Sequence, residues 1–205
     1  MELVVTAAGV LTIAAAWRTI RVRAVSVWAT MTPALVVVGI AAALVRPPVL
    51  ASDVGAGTAA LVGLGAGVAL FAATRLFLLA AEGWTVLRSD ARSIYGPTGD
   101  LPLGLVVLLA AISVVAEELF WRGLVQPRLE LTLGEWGGAG LTWVLAVIAN
   151  LPSGSVSIVL GATVGGATWA ALAVWSGGIV AAAACHLLWT ILMIVFPPPQ
   201  AAGVR

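Results

Sequence analysis

The sequence is poor in charged and reactive side chains. It has no lysine, and cysteine, histidine and asparagine occur once each, as Cys185, His186 and Asn150. A single cysteine excludes an intrachain disulfide, and a net charge of +1 gives no indication of nucleic-acid binding. Only 9% of the residues are charged, against roughly 25% in soluble domains, so the composition points away from a soluble fold.

Long apolar runs take the place of charge. Hydrophobic residues make up 61% of the sequence, and about seven runs approach the roughly 20 residues that a helix needs to cross a bilayer. These runs cover residues 3–17, 25–45, 58–81, 102–122, 138–151, 156–175 and 178–196. The sequence therefore predicts an all-α fold, a polytopic transmembrane helix bundle, with residues 1–205 forming a single transmembrane domain.

The arginines give an expected orientation and setting. Cytoplasmic loops of membrane proteins carry an excess of basic residues. With seven spans and the N-terminus outside, two arginines lie outside, Arg46 and Arg128, and six lie inside: Arg18, Arg21, Arg23, Arg88, Arg92 and Arg205. The use of arginine alone, with much alanine, valine and glycine, indicates a GC-rich genome. We therefore expect an integral membrane protein of a bacterial cell membrane.

Glycine spacing in the third run predicts close helix packing. Gly63 and Gly67 form a Gly-x-x-x-Gly pattern, in which small residues let two helix backbones approach each other. Packing within the chain is the favoured interpretation, and a dimer face is the alternative.

Two adjacent carboxylates, Glu117 and Glu118, lie inside the fourth apolar run, with Arg122 four residues after the second. A charge at mid-bilayer costs about 2.5–3.5 kcal/mol on insertion scales, and ionisable residues inside membranes usually mark functional sites. On a helix, residues four apart share a face, so Glu118 is expected to pair with Arg122. Glu117 points about 100° away, among apolar and aromatic neighbours. Because paired acids in different environments often divide acid and base roles, Glu117 is the candidate general base.

Two further polar positions are candidates for the same site. His186 lies in the last run with Thr190 one turn later, and Asn150 ends the fifth run before Pro152. A lone histidine on an apolar helix is more often a hydrogen-bonded core residue, unless Glu117 lies close in space. Asn150 is either a residue of the helix end or an amide directed into a cavity with Glu117.

Together these residues resemble the motifs of the CPBP intramembrane proteases, also called the ABI family, which include the Rce1-type CAAX prenyl endopeptidases. Glu117-Glu118-x-x-x-Arg122 matches the first motif of that family. His186 matches the histidine of the last motif, and Thr190 occupies its usual asparagine position. In the middle Phe-x-x-x-His motif, Ala146 and Asn150 replace the phenylalanine and the histidine. The resemblance covers residues 100–196, which we expect to be a CPBP-like catalytic core region.

The resemblance implies an intramembrane endopeptidase that cuts membrane-associated polypeptides in a cavity among the last four spans. Glu117 would activate a water, His186 and Asn150 would orient the water or stabilise the oxyanion, and Glu118, Arg122 and Thr190 would support them. No cofactor and no metal are expected, since catalytic zinc usually has about three protein ligands, commonly two or more of them histidines.

Two alternatives remain open on the same sequence. The replaced histidine and asparagine positions favour a pseudoprotease, a non-catalytic scaffold whose partner would be a helix or a lipid. A proton-coupled carrier is the third class, because glutamate and histidine can relay protons inside membranes. It is the weakest, since the sequence shows no repeated halves with interrupted helices.

Overall fold

The structure, a computed structural model, describes residues 1–95 and 101–198, except for the side chains of 91–95. The described part is helical and contains no strand. A π-helical turn, Trp121–Val125, joins α5 to α6, and a 3₁₀ turn, Leu151–Ser153, follows α7. The helices are α1 (Glu2–Arg23), α2 (Val27–Val45), α3 (Ala56–Ala80), α4 (Thr85–Tyr95), α5 (Leu103–Phe120), α6 (Gln126–Leu133), α7 (Glu135–Asn150), α8 (Val156–Ser176) and α9 (Val180–Val195).

The predicted transmembrane bundle is confirmed, with corrections to the limits of its helices. Five stretches are long and apolar enough to cross a bilayer: α1, α2, α3, α8 and the continuous stretch Leu103–Leu133. The predicted fourth span stops too early, at residue 122, because the backbone continues through the π turn into α6. The interval between the fourth and fifth predicted runs reduces to Gly134, whose φ of 74° suits glycine. The helices α7 and α9 have 16 residues each.

Ion pairs show which helix ends lie together. Glu2, at the start of α1, accepts from Arg46 Nη1 at 3.1 Å and lies 3.4 Å from Arg128 Nε. The two arginines predicted to be outside therefore share one end of the bundle. Arg18 and Arg21 lie at the opposite end of α1, where they line a cavity with Pro152. Arg205 and the side chain of Arg92 fall outside the described residues.

The connection between α2 and α3 fixes the start of α9. The carbonyls of Val49 and Leu50 accept from Ile179 N and Val180 N, both at 3.0 Å. Asp53 N donates to the Ser176 carbonyl at 3.2 Å. The first amides of a helix and the last carbonyls of another have no partners of their own, so this connection satisfies groups at both ends of the α8–α9 junction.

A helix that the sequence did not predict, α4, lies in the polar connection between the third and fourth predicted runs. This connection begins at Glu82, and its last residue, Asp100, is outside the described residues. Asp90 on α4 accepts from Ser157 N at 2.9 Å and from Ser155 Oγ at 3.0 Å. These groups belong to the first turn of α8, where a carboxylate is favoured by the helix dipole. Asp90 therefore attaches α4 to the bundle.

The packing of α3 on α9 yields a stability prediction. A Cβ added at Gly63 would collide with the Ala181 carbonyl, and one at Gly67 would come within 2.9 Å of the Cys185 carbonyl. Backbone atoms cannot move aside easily, so Gly63→Ala and Gly67→Ala are each expected to destabilise the protein by about 1–3 kcal/mol. The measurement is the thermal unfolding midpoint in detergent.

The matched control is Gly65→Ala on the same helix, because a Cβ at Gly65 would meet only open space. Its midpoint should stay unchanged or rise. If the midpoint fell equally in all three variants, the substitutions would act on α3 in general. The close packing of Gly63 and Gly67 on α9 would then not explain the loss.

Candidate active site

The candidate site is formed by α5, the π turn and α9. Glu117 and Glu118 lie in the last turn of α5, and Arg122 lies in the π turn directly after it. Glu118 is the sixteenth of the 31 residues in Leu103–Leu133, so the site lies at the middle of the longest apolar stretch. From α9, His186 enters from the opposite side and meets both carboxylates.

Glu118 and Arg122 form the buried ion pair expected from their spacing. Arg122 Nη1 donates to Glu118 Oε1 at 3.1 Å, and the side chains are only 2% and 1% exposed. Arg122 Nη2 donates to the carbonyl of Gly166 on α8 at 3.1 Å. The arginine therefore connects the carboxylate pair to a third helix.

His186 lies between the two carboxylates. Its Nδ1 is 2.8 Å from Glu118 Oε1, and its Nε2 is 3.8 Å from Glu117 Oε2. Since Glu118 is paired with Arg122, an ionised Glu118 accepts the proton on Nδ1, and this leaves Nε2 directed toward Glu117. The Glu118 carboxylate thus has a second role that the sequence did not predict: it orients the histidine.

Exposure separates the two glutamates. The side chain of Glu117 is 25% exposed, whereas those of Glu118 and His186 are 1% and 7% exposed. Glu117 is therefore the most exposed of the three side chains. The two glutamates lie in different environments, as helical geometry predicted.

Trp169 on α8 is a site residue that the sequence analysis missed. Its ring stacks on that of His186, with centroids 3.5 Å apart and planes 16° from parallel. The guanidinium of Arg122 lies 5.6 Å from the centre of the same tryptophan ring. Trp169 therefore limits rotation of His186, but nothing in the local pattern distinguished it from the other eight tryptophans.

A polar row extends from the site along α6. Gln126 Nε2, one turn after Arg122, donates to the Ala170 carbonyl at 3.2 Å and to Glu130 Oε1 at 2.9 Å. Arg122 and Gln126 thus bind carbonyls one turn apart on α8, those of Gly166 and Ala170. The four-residue spacing of Glu118, Arg122, Gln126 and Glu130 is visible in the sequence and could have revealed this row.

Asn150 lies elsewhere, which corrects the expectation that its amide is directed at Glu117. Its Oδ1 accepts from Trp17 Nε1 at 2.7 Å, and its Nδ2 donates to the Ala146 carbonyl at 2.8 Å. Phe120, one turn from Glu117, packs at Gly9 of α1. Trp17 is eight residues further along α1, about 12 Å at 1.5 Å per residue. Asn150 therefore belongs to a different layer of the bundle, where it joins α7 to α1.

Thr190 lies one turn after His186 on α9 and is half-buried. The next residue before it, Trp189, donates from Nε1 to Thr74 Oγ1 on α3 at 3.1 Å. Cys185 is buried in an apolar cluster with Leu70 and Trp169, as expected for a small core residue. This end of α9 is thus held by α3 and α8.

Residues 99–192 match the protein family described as type II CAAX prenyl endopeptidase Rce1-like. This segment is similar to that family and contains Glu117, Glu118, Arg122 and His186. The match confirms the resemblance to the CPBP family. Comparisons of the chain with curated proteins and with solved structures gave no significant match.

The side chains described around Glu117 and His186 do not fit a metal site. Among the residues that the structure describes, no group of three or more histidine, cysteine or acidic side chains is placed to hold a metal ion. Both ring nitrogens of His186 face carboxylates.

Because His186 is the single histidine of the chain, its tautomer can be measured directly. In protein labelled with ¹⁵N-histidine, the neutral ring of His186 is expected to carry its proton on Nδ1, since that atom faces the arginine-paired Glu118. Glu118→Gln should shift the population toward the Nε2-protonated form. Heteronuclear spectra in detergent distinguish the two forms, and Glu82→Gln, far along the chain at the end of α3, is the control. An Nε2-protonated ring in the native protein would contradict this orientation.

Proposed function

We propose that the protein is an intramembrane endopeptidase that hydrolyses peptide bonds of membrane-associated polypeptides through a water activated by Glu117. The observation that carries the proposal is the approach of His186 Nε2 to Glu117 Oε2, 3.8 Å apart. A general base must reach its proton directly or through one water. This pair meets that condition at the middle of an apolar stretch, and it lies in the segment that matches the Rce1-like family.

The geometry supports a particular arrangement of the water. With the proton of His186 on Nδ1, both Nε2 and Glu117 Oε2 are acceptors. A water about 2.8 Å from each can donate one hydrogen to each of them. Its lone pair is then free to attack a peptide carbonyl. The 3.8 Å separation of the two atoms is compatible with this bridge.

The proposed reaction balances without a further reagent. The water oxygen bonds to the carbonyl carbon while Glu117 or His186 takes its proton. The carbon–nitrogen bond then breaks, and the proton passes to the departing amine. Glu118 keeps the imidazole in position, and Arg122 pairs with Glu118. Asn150 has no part in this mechanism, because its hydrogen bonds go to Trp17 and Ala146.

The test uses purified full-length protein in liposomes with quenched fluorescent peptides anchored in the membrane. The panel includes a farnesylated peptide ending in a CAAX sequence, because the description of the matched family names that substrate class. Cleavage that requires Glu117 and His186 would support the proposal. Complete absence of cleavage across the panel, together with retained binding of an anchored peptide, would favour the second candidate.

That second candidate is a non-catalytic scaffold on the same fold. It is favoured by Asn150, which stands at the histidine position of the middle motif and is engaged with Trp17. In a scaffold, Glu117→Ala and His186→Ala would leave partner binding intact. Substitution of Glu118 or Arg122 would lower binding only through loss of the folded protein.

A further inference from the structure

A cavity of about 550 Å³ lies along α1, at the bundle end that the arginines predict to be cytoplasmic. Its walls are the apolar residues Leu11, Ala14 and Ala15, the two arginines Arg18 and Arg21, and residues packed beside them. These positions recur every three or four residues, so they form one stripe along the helix. The cavity is separate from the candidate active site, and its lining includes neither Glu117 nor His186.

The stripe is apolar at one end and cationic at the other. Leu11 and Arg21 are ten residues apart, about 15 Å at 1.5 Å per residue. Because α1 is long and apolar enough to cross a bilayer and ends at Arg23, its apolar part is expected at the depth of the lipid chains. The arginines are expected at the depth of the headgroups.

The two arginines have charge available for a ligand. Arg18 and Arg21 are exposed, and neither forms an ion pair or a side-chain hydrogen bond with the described residues. The guanidinium of Arg21 rests against Gly154, where no side chain covers it. Asp90, which contacts the segment that follows Gly154, is already bonded to Ser155 and Ser157.

We propose that this cavity binds one anionic phospholipid, with its phosphate between Arg18 and Arg21 and an acyl chain along Leu11, Ala14 and Ala15. Guanidinium groups bind phosphate oxygens through two parallel hydrogen bonds. Basic pockets beside membrane helices on the cytoplasmic side suit anionic headgroups. The alanines leave a shallow floor for a chain of methylene groups. This site is independent of the proposed cleavage of peptides.

The test measures lipid binding to the purified full-length protein in detergent, with phosphatidylglycerol and phosphatidylcholine as probes. The native protein should bind phosphatidylglycerol at least tenfold more tightly than phosphatidylcholine. Each arginine at a membrane surface favours anionic lipid, so Arg18→Gln with Arg21→Gln should weaken phosphatidylglycerol binding about 30-fold. Binding of phosphatidylcholine should change little.

Two further variants make the test specific. Arg23→Gln removes a charge from the same helix end, but Arg23 does not line the cavity, so its effect should stay below threefold. Ala15→Trp fills the groove without changing any charge and should abolish the preference for phosphatidylglycerol. If Arg23→Gln lost half as much phosphatidylglycerol binding free energy as the double variant, the preference would come from diffuse surface charge. The proposal would then be wrong.

A measurement with inorganic phosphate distinguishes a lipid-binding site from a site for free anions. If phosphate raised the thermal unfolding midpoint as much as phosphatidylglycerol does, and Ala15→Trp kept that effect, the cavity would be an anion site and the lipid proposal would be wrong. A rise with phosphatidylglycerol alone, lost in Ala15→Trp, supports it.

Discussion

Glu117→Gln is expected to lower the rate of peptide cleavage by about 10²–10⁴-fold, the contribution of a positioned general base. Glutamine keeps the size and polarity of the side chain but cannot take a proton from water. The side chain of Glu117 is 25% exposed, and no hydrogen bond from another side chain depends on it among the described residues. The fold should therefore survive, with a thermal unfolding midpoint near that of the native protein.

The matched control is Glu82→Gln, which removes a carboxylate from an exposed position after α3. Its cleavage rate should equal that of the native protein. If Glu117→Gln retained the full rate on a peptide that the native protein cuts, Glu117 would not be the base, and the proposed mechanism would be wrong.

Breaking the Glu118–Arg122 pair is expected to have the largest effect on stability. Removal of one partner leaves the other charge buried and unpaired, which typically costs about 3–5 kcal/mol. The pair is 1% and 2% exposed, so water cannot replace the lost partner. Glu118→Leu and Arg122→Met should each lower the thermal unfolding midpoint in detergent sharply.

The double variant, Glu118→Leu with Arg122→Met, separates stability from activity. Apolar residues of similar volume often replace a buried ion pair with little loss. Here Glu118 Oε2 and Arg122 Nε have no hydrogen-bond partner among the described residues, so the native pair recovers only part of its desolvation cost. The double variant should regain most of the stability lost in either single variant.

Its cleavage rate should nevertheless stay low, because His186 loses the carboxylate that holds Nδ1. An active double variant would contradict the orienting role of Glu118. A double variant as unstable as the sum of the two single variants would show that the residues act independently.

Local features of the fold followed from the sequence because they depend on near neighbours. Hydropathy over about 20 residues predicts membrane helices without knowledge of their partners, and α2, α3 and α8 lie close to their predicted limits. The fourth span was predicted too short, since Arg122 and Gln126 look like the polar end of a helix. In the folded protein they bind carbonyls of α8.

The candidate site was predicted in part for the same reason. Glu118 and Arg122 are four residues apart on one helix, so their pairing is a property of α5 and the turn after it. The contact of His186 with Glu118 joins residues 68 positions apart. The sequence offered His186 as a candidate because it is the single histidine of the chain and matches the histidine of the last CPBP motif.

The sequence by itself determined that the chain forms membrane helices and that one of them carries an arginine-paired glutamate beside a free one. Only the tertiary structure decided which side chains meet that pair. Glycines in α3 let α9 pack closely, and this packing brings His186 to both glutamates, while Trp169 of α8 holds the ring. Asn150 lies away from the site for the same reason. Its helix α7 packs on α1, where Trp17 donates a hydrogen bond to the Asn150 side chain. Such contacts depend on the shapes of whole helix faces, which short sequence patterns do not encode.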